Sequence, residues 1–113
     1  MNDIEDFVAA MATVRFERDR AVPPAKLALD ELVKVCANKT DQSYKIRALL
    51  YSLWNGKPRS LLEILSLDWE LRKHLLSVLK AFGHDAFFYK QIRDAFQQRG
   101  LLDWFLQEGD KDL

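Results

Sequence analysis

The sequence predicts an all-α protein, folded as one compact bundle of five to seven short helices. Three observations carry that expectation. Leucines and aromatics recur at helical spacing almost without interruption from Tyr44 to Leu106. No segment alternates apolar and polar residues with period two, and the β-branched residues are few and scattered. Caps and breakers also punctuate the apolar runs where helices should begin and end.

Ile4, Phe7, Val8 and Met11 stand at i, i+3, i+4 and i+7, which predicts a first helix from about Asp3 to Arg18. Pro23-Pro24 should end one element and open the next, because a proline suits a helix's first turn and lacks the donor that an interior position needs. Leu29, Leu32, Val33 and Cys36 are the stripe of that second helix. After the polar break Asn38-Lys39-Thr40-Asp41, Thr40 or Asp41 can cap a third, in which Ile46, Leu49, Leu50, Leu53 and Trp54 repeat until Asn55-Gly56. In residues 48–54 the apolar positions spread around most of the circumference. A one-sided helix needs only a narrow stripe, so the helix at about 44–55 should be the central one.

Ser60 and Glu63 have capping-box spacing and open a brief fourth helix through Leu61, Ile64 and Leu65. Asp68 starts a fifth, with the stripe Leu71, Leu75, Val78, Leu79 and Phe82, closed by Gly83. Asp85 caps a sixth, with Phe88, Ile92, Ala95 and Phe96 facing in, closed by Gly100. A last turn or two holds Leu101, Trp104 and Phe105. Leu67-Asp68-Trp69 recurs as Leu102-Asp103-Trp104, but the flanking residues do not follow. Asp as a cap and Trp as the first buried residue explain both without an internal repeat.

The 113 residues predict a single helical domain over 1–113, with termini at about 1–3 and 108–113 expected to fray. Area scaling buries about two thirds of such a chain's surface, enough for a core without staples. Cys36, the only cysteine, rules out an internal disulfide and any cysteine-based zinc cluster. No charged-then-apolar leader opens the chain and no apolar run approaches the ~20 residues of a membrane span, so a cytoplasmic setting without membrane contact is expected.

Little here points to catalysis, so the chain reads as no enzyme, with no cofactor, metal or small-molecule substrate. His74 follows Arg72-Lys73, and His84 sits in a turn between Gly83 and Asp85. Neither belongs to a metal-ligand spacing. Cys36 lies on an apolar stripe and reads as a small core residue. Gly56-Lys57-Pro58-Arg59-Ser60 lacks the glycine spacing and Lys-Ser/Thr ending of a phosphate loop.

Two binding surfaces remain. Phe87-Phe88-Tyr89 point about 100° apart and cannot all enter one core; Leu101-Leu102 and Trp104-Phe105-Leu106 raise the same problem. Either the last helices bury several faces, or Phe87, Tyr89, Trp104 and Leu106 form an aromatic surface for a protein partner or a homodimer. Net charge is zero, with acidic ends and a mildly basic centre. There Lys45, Arg47, Lys57 and Arg59 are candidates for contacting nucleic acid or another anion.

The run Ala28-Leu29, Leu32, Val35, Thr40-Asp41-Gln42-Ser43, Leu49-Leu50, Trp54-Asn55 and Leu67-Asp68 resembles an uncharacterised family of small helical proteins. Such proteins are carried on plasmids and integrative elements of proteobacteria. The resemblance spans about residues 28–80 and implies an accessory role on a mobile element, with no catalytic residues to carry over. The reading that follows is a small adaptor, regulator or inhibitor acting through an aromatic surface. The alternative is a nucleic-acid-binding accessory protein using the basic 45–59 region.

Overall fold

The first helix is twice the predicted length. In the computed structural model, which describes residues 3–56, 58–84 and 89–107, α1 runs over Asp3–Cys36 and passes through Pro23 and Pro24 without a break. The two predicted N-terminal helices are therefore one. A proline's φ near −65° is itself helical; only the missing donor and the crowding of the carbonyl four residues back oppose it. Both prolines are exposed, so the carbonyls of Asp19 and Arg20 lose their donors on the solvated side of the helix, where water can replace them. Ala21 and Ala25, on either side, are buried and hold the helix in register against the core.

α2 spans Asp41–Asn55 as the caps predicted. Thr40 is the N-cap, accepting from the Ser43 N–H, and Gly56 ends the helix at φ 77°, a left-handed conformation that favours glycine. Leu61–Ser66 forms a 3-10 helix rather than an α-helix, with Ser60 at its N-cap. α3 covers Trp69–His84, so Gly83 lies inside its last turn instead of closing it. α4 covers Tyr89–Gln98 and α5 covers Leu102–Leu106. Gly100, at φ 69°, turns the chain between them as expected. The Asp85 cap, the inward placing of Phe88 and the fraying of residues 108–113 lie outside the described residues. Asp3, at the expected frayed end, is already helical.

Among the described residues there is no strand, and the helices form one bundle. The second half of α1 packs chiefly on α3, while α2 packs on α1, α4, α5 and the 3-10 helix. Leu32, Val33, Ile46, Leu50, Leu75, Val78, Ile92, Phe96 and Phe105 fill the space between them. In the first half of α2, Ser43 and Ile46 to Leu50 are buried, but Tyr51 to Trp54 are only half-buried. It therefore shares the centre with α1.

The first half of α1 stands outside that bundle. Every described side chain from Asp3 to Arg20 is exposed. The molecule measures 56 Å along its longest axis and 30 and 29 Å across. A helix of 34 residues is about 51 Å long at 1.5 Å per residue, so α1 alone accounts for the elongation.

Candidate functional site

Polar chemistry in this bundle is mostly spent on holding helices together. The Ser43 hydroxyl accepts from the Thr40 N–H at 3.0 Å and donates to the Val35 carbonyl at 2.8 Å. It thereby ties the end of α1 to the start of α2. Gln42 reaches the other way: its Oε1 accepts from the Asp68 N–H at 3.0 Å, and its Nε2 donates to the Ser66 carbonyl at 3.4 Å. The Thr40-Asp41-Gln42-Ser43 motif is a structural clasp between α1, α2 and the entry to α3.

Cys36 is fully buried, with its Sγ 3.7 Å from the Ser43 carbonyl. Burial pushes its thiol up to about 12, against the opposing pull of the nearby Arg47 charge. Such a thiol is a poor nucleophile at neutral pH. No group of three or more His, Cys, Asp or Glu side chains among the described residues is placed to hold a metal ion. No helix among them is long and apolar enough to cross a membrane.

Of the proposed basic surface, Arg47 is buried. Lys45 is exposed, but Arg47 is 1% exposed and points inward, so it is no surface contact. Its guanidinium carbon lies 4.6 Å from the Trp104 ring centre and 5.2 Å from that of Tyr44, and its Nη1 donates to the Trp104 carbonyl at 3.2 Å. Stacking on two aromatic faces keeps the cation inside, where a lysine-like point charge would fit poorly. Arg59 donates to Glu63 at 2.7 Å across one turn. Lys57 lies outside the described residues.

The aromatic residues near the C-terminus are largely core. Phe96 and Phe105 stack with centres 4.2 Å apart, and Phe105 also meets Tyr51 and Trp54 at 5.5 and 5.7 Å. Trp104 meets Tyr44 at 5.8 Å and Phe96 at 6.4 Å. Of the four residues read as an interface, Trp104 is thus half-buried in this network and Tyr89 is half-buried on α4. Leu106 is 37% exposed, and Phe87 lies outside the described residues.

Among the described residues, larger groups of exposed apolar side chains lie elsewhere, in two places. One is the projecting half of α1. The other joins the 3-10 helix to α3, where Leu62, Leu65, Trp69 and Leu76 are all exposed. Leu62 and Leu65 share a face because side chains three apart eclipse on a 3-10 helix. Trp69 and Leu76, seven apart, share a face of α3. Arg72 joins the two groups. Its Nη2 donates to the carbonyls of Leu65 at 2.9 Å and Leu67 at 3.2 Å, and its guanidinium carbon lies 5.9 Å from the Trp69 ring centre.

Trp69 is therefore not the first buried residue of its helix but a 64% exposed one. The signal was present in the spacing. Trp69 and Leu76 lie about 100–120° round α3 from the buried Leu75, so the inward stripe could not include them.

No curated protein and no solved structure matches the chain. A match to a family of unknown function (DUF7673) does cover residues 26–102. It begins just after Pro24, taking in the clasp, the buried arginine and the Trp69 patch, and it leaves out the projecting part of α1. On that match, the chain belongs to this family of unknown function.

Proposed function

We propose that the protein is a non-enzymatic binding module, a small adaptor, regulator or inhibitor, that engages another protein through the Trp69 patch. The observation that carries this reading is the Trp69 indole, 64% exposed at the start of a packed helix and flanked by exposed leucines. Tryptophan and arginine are the side chains most often found to dominate protein interfaces. Gln42 and Arg72 fix the backbone beneath the patch, so little conformational freedom is lost when a partner covers it. The chemistry of the patch suits an apolar protein surface better than an anion. Around it Arg59 is matched by Glu63, and Lys73 lies 3.8 Å from Glu70. A cytoplasmic accessory protein of plasmids or integrative elements is the setting we propose, on the strength of the sequence resemblance over residues 28–80.

The test compares the wild-type protein with a Leu65→Ser, Trp69→Ser double variant as immobilised baits in lysate of the host. Because both side chains are exposed, the variant should keep its helicity and melt within about 1 kcal/mol of wild type. The expected result is a protein retained by the wild type and lost by the variant. Identical retention by the two baits would overturn the proposal.

A further inference from the structure

The projecting half of α1 presents one side of a helix–helix interface. Ile4, Phe7, Val8 and Met11 are 70, 66, 59 and 42% exposed. Counted at 100° per residue, Ile4, Phe7 and Met11 lie on the same face of α1 as the buried Ala25, Leu29 and Cys36. The face that α1 buries in the bundle thus continues outward past it. α3 cannot follow it. With 16 residues against 34, it is about 24 Å long beside a helix of about 51 Å.

We infer that a second copy of this chain covers that face, with the two projecting segments laid antiparallel in a two-fold symmetric, reversible homodimer. The charge pattern selects this occupant. The outer end carries Asp3, Glu5 and Asp6 with no basic residue among 3–6. The inner end carries Arg15, Arg18 and Arg20 against Glu17 and Asp19. Antiparallel pairing centred near residue 9 sets Asp3 of each copy opposite Arg15 of the other, with Arg18 less than one turn beyond, twice. Parallel pairing sets three acids against three acids. A single-sign partner would be matched along only half the segment.

An anionic lipid surface or nucleic acid fits worse still. Such ligands call for a basic polar face, and residues 3–20 hold five acids and three arginines.

Apolar area points the same way and sets the strength. The four side chains expose on the order of 500 Å² per chain. Two copies bring together about 1,000 Å² of apolar surface, near the lower limit for a specific interface. The dimer should accordingly be weak and concentration-dependent. It uses a segment outside the family match, separate from the Trp69 patch, so the two readings stand or fall apart.

Sedimentation equilibrium of the full chain across a hundredfold concentration range tests the inference. The expected result is a monomer–dimer equilibrium, abolished by Phe7→Glu with Met11→Glu and weakened at least tenfold by Phe7→Ala with Met11→Ala. The alanine pair keeps helix propensity high, so loss of helicity cannot explain its effect. A monomer at every concentration would overturn the inference. So would a dimer that survives both pairs, or one lost only on replacing Trp69.

Orientation is read by oxidative cross-linking, for which the buried Cys36 leaves an introduced cysteine as the reactive thiol. With the crossing near residue 9, where Phe7 of each copy meets Met11 of the other, Val8→Cys should form a covalent dimer. Ile4→Cys should not, its two copies lying about 15 Å apart along the axis. Cross-linking through both positions would mean parallel pairing and refute the arrangement.

Discussion

Replacing Arg47 tests whether a buried cation is what fastens α5 to α2. Its guanidinium stacks on Trp104 and Tyr44 and donates to the Trp104 carbonyl. Two desolvated cation–π contacts contribute about 2–3 kcal/mol together. The charged hydrogen bond contributes about 1.5–3 kcal/mol, and the buried aliphatic stem about 2 kcal/mol. Against this stands the cost of keeping the guanidinium dry, several kcal/mol in a protein interior. The net loss for Arg47→Ala should be about 2–4 kcal/mol, a lowering of the melting temperature by roughly 10–15 °C for a chain of this size. Arg47→Met keeps the stem and removes the dehydration cost, leaving mainly the Trp104 carbonyl without its donor. It should fall between alanine and wild type. Thermal and urea unfolding, followed by circular dichroism and by tryptophan fluorescence, measure both. An alanine variant within about 1 kcal/mol of wild type would refute the idea that Arg47 is a fastening. A methionine variant more stable than wild type would show that the stem and not the charge does the holding.

Two further predictions concern α1 and its end. Burial raises the Cys36 thiol from 9.0 to about 12, so the neutral form is favoured in the folded state. Stability should be unaffected by this group below pH 9 and fall as pH rises from 9 towards 12, by about 1.4 kcal/mol per unit and about 4 kcal/mol in all. A Cys36→Ala comparison of urea midpoints across that range isolates the effect, and parallel decline in both proteins would contradict it. Pro23→Ala with Pro24→Ala should restore two helical donors and raise the melting temperature. An interior proline costs about 3 kcal/mol of helix propensity, less about 1 kcal/mol for the stiffer unfolded chain. A lower melting temperature in the double variant would mean that the prolines do end a helix in solution.

The fold was readable where local chemistry decides it. Thr40, Ser43 and Gly56 cap α2 because a hydroxyl, a short polar side chain and a residue free to take positive φ can satisfy a helix end without help from the rest of the chain. Pro23 and Pro24 misled because their effect depends on what surrounds them. The lost hydrogen bonds cost more inside a core than at an exposed face, where water can replace them, and sequence spacing does not say which applies. The 3-10 geometry of Leu61–Ser66 is likewise tertiary, since the turn is held from outside by Gln42, 24 residues earlier, and by Arg72.

Periodicity reports which face of a helix is apolar and is silent on whether anything lies against it. Ile4, Phe7 and Met11 lie on the same face as Ala25, Leu29 and Cys36, yet one set is exposed and the other buried. The difference lies in the length of α3, a property of another element. The same blindness applies to the tryptophans. Trp69 and Trp104 each follow a Leu-Asp pair, and local pattern assigns them one role. Trp104 has Arg47 and Phe96 to pack on, whereas Trp69, off the inward stripe of α3, meets Arg72 at its edge and stays open to solvent. What separates a core ring from an exposed ring is the residue brought to it from a distant element. A charge such as Arg47, read in sequence as a surface cation, can be that residue.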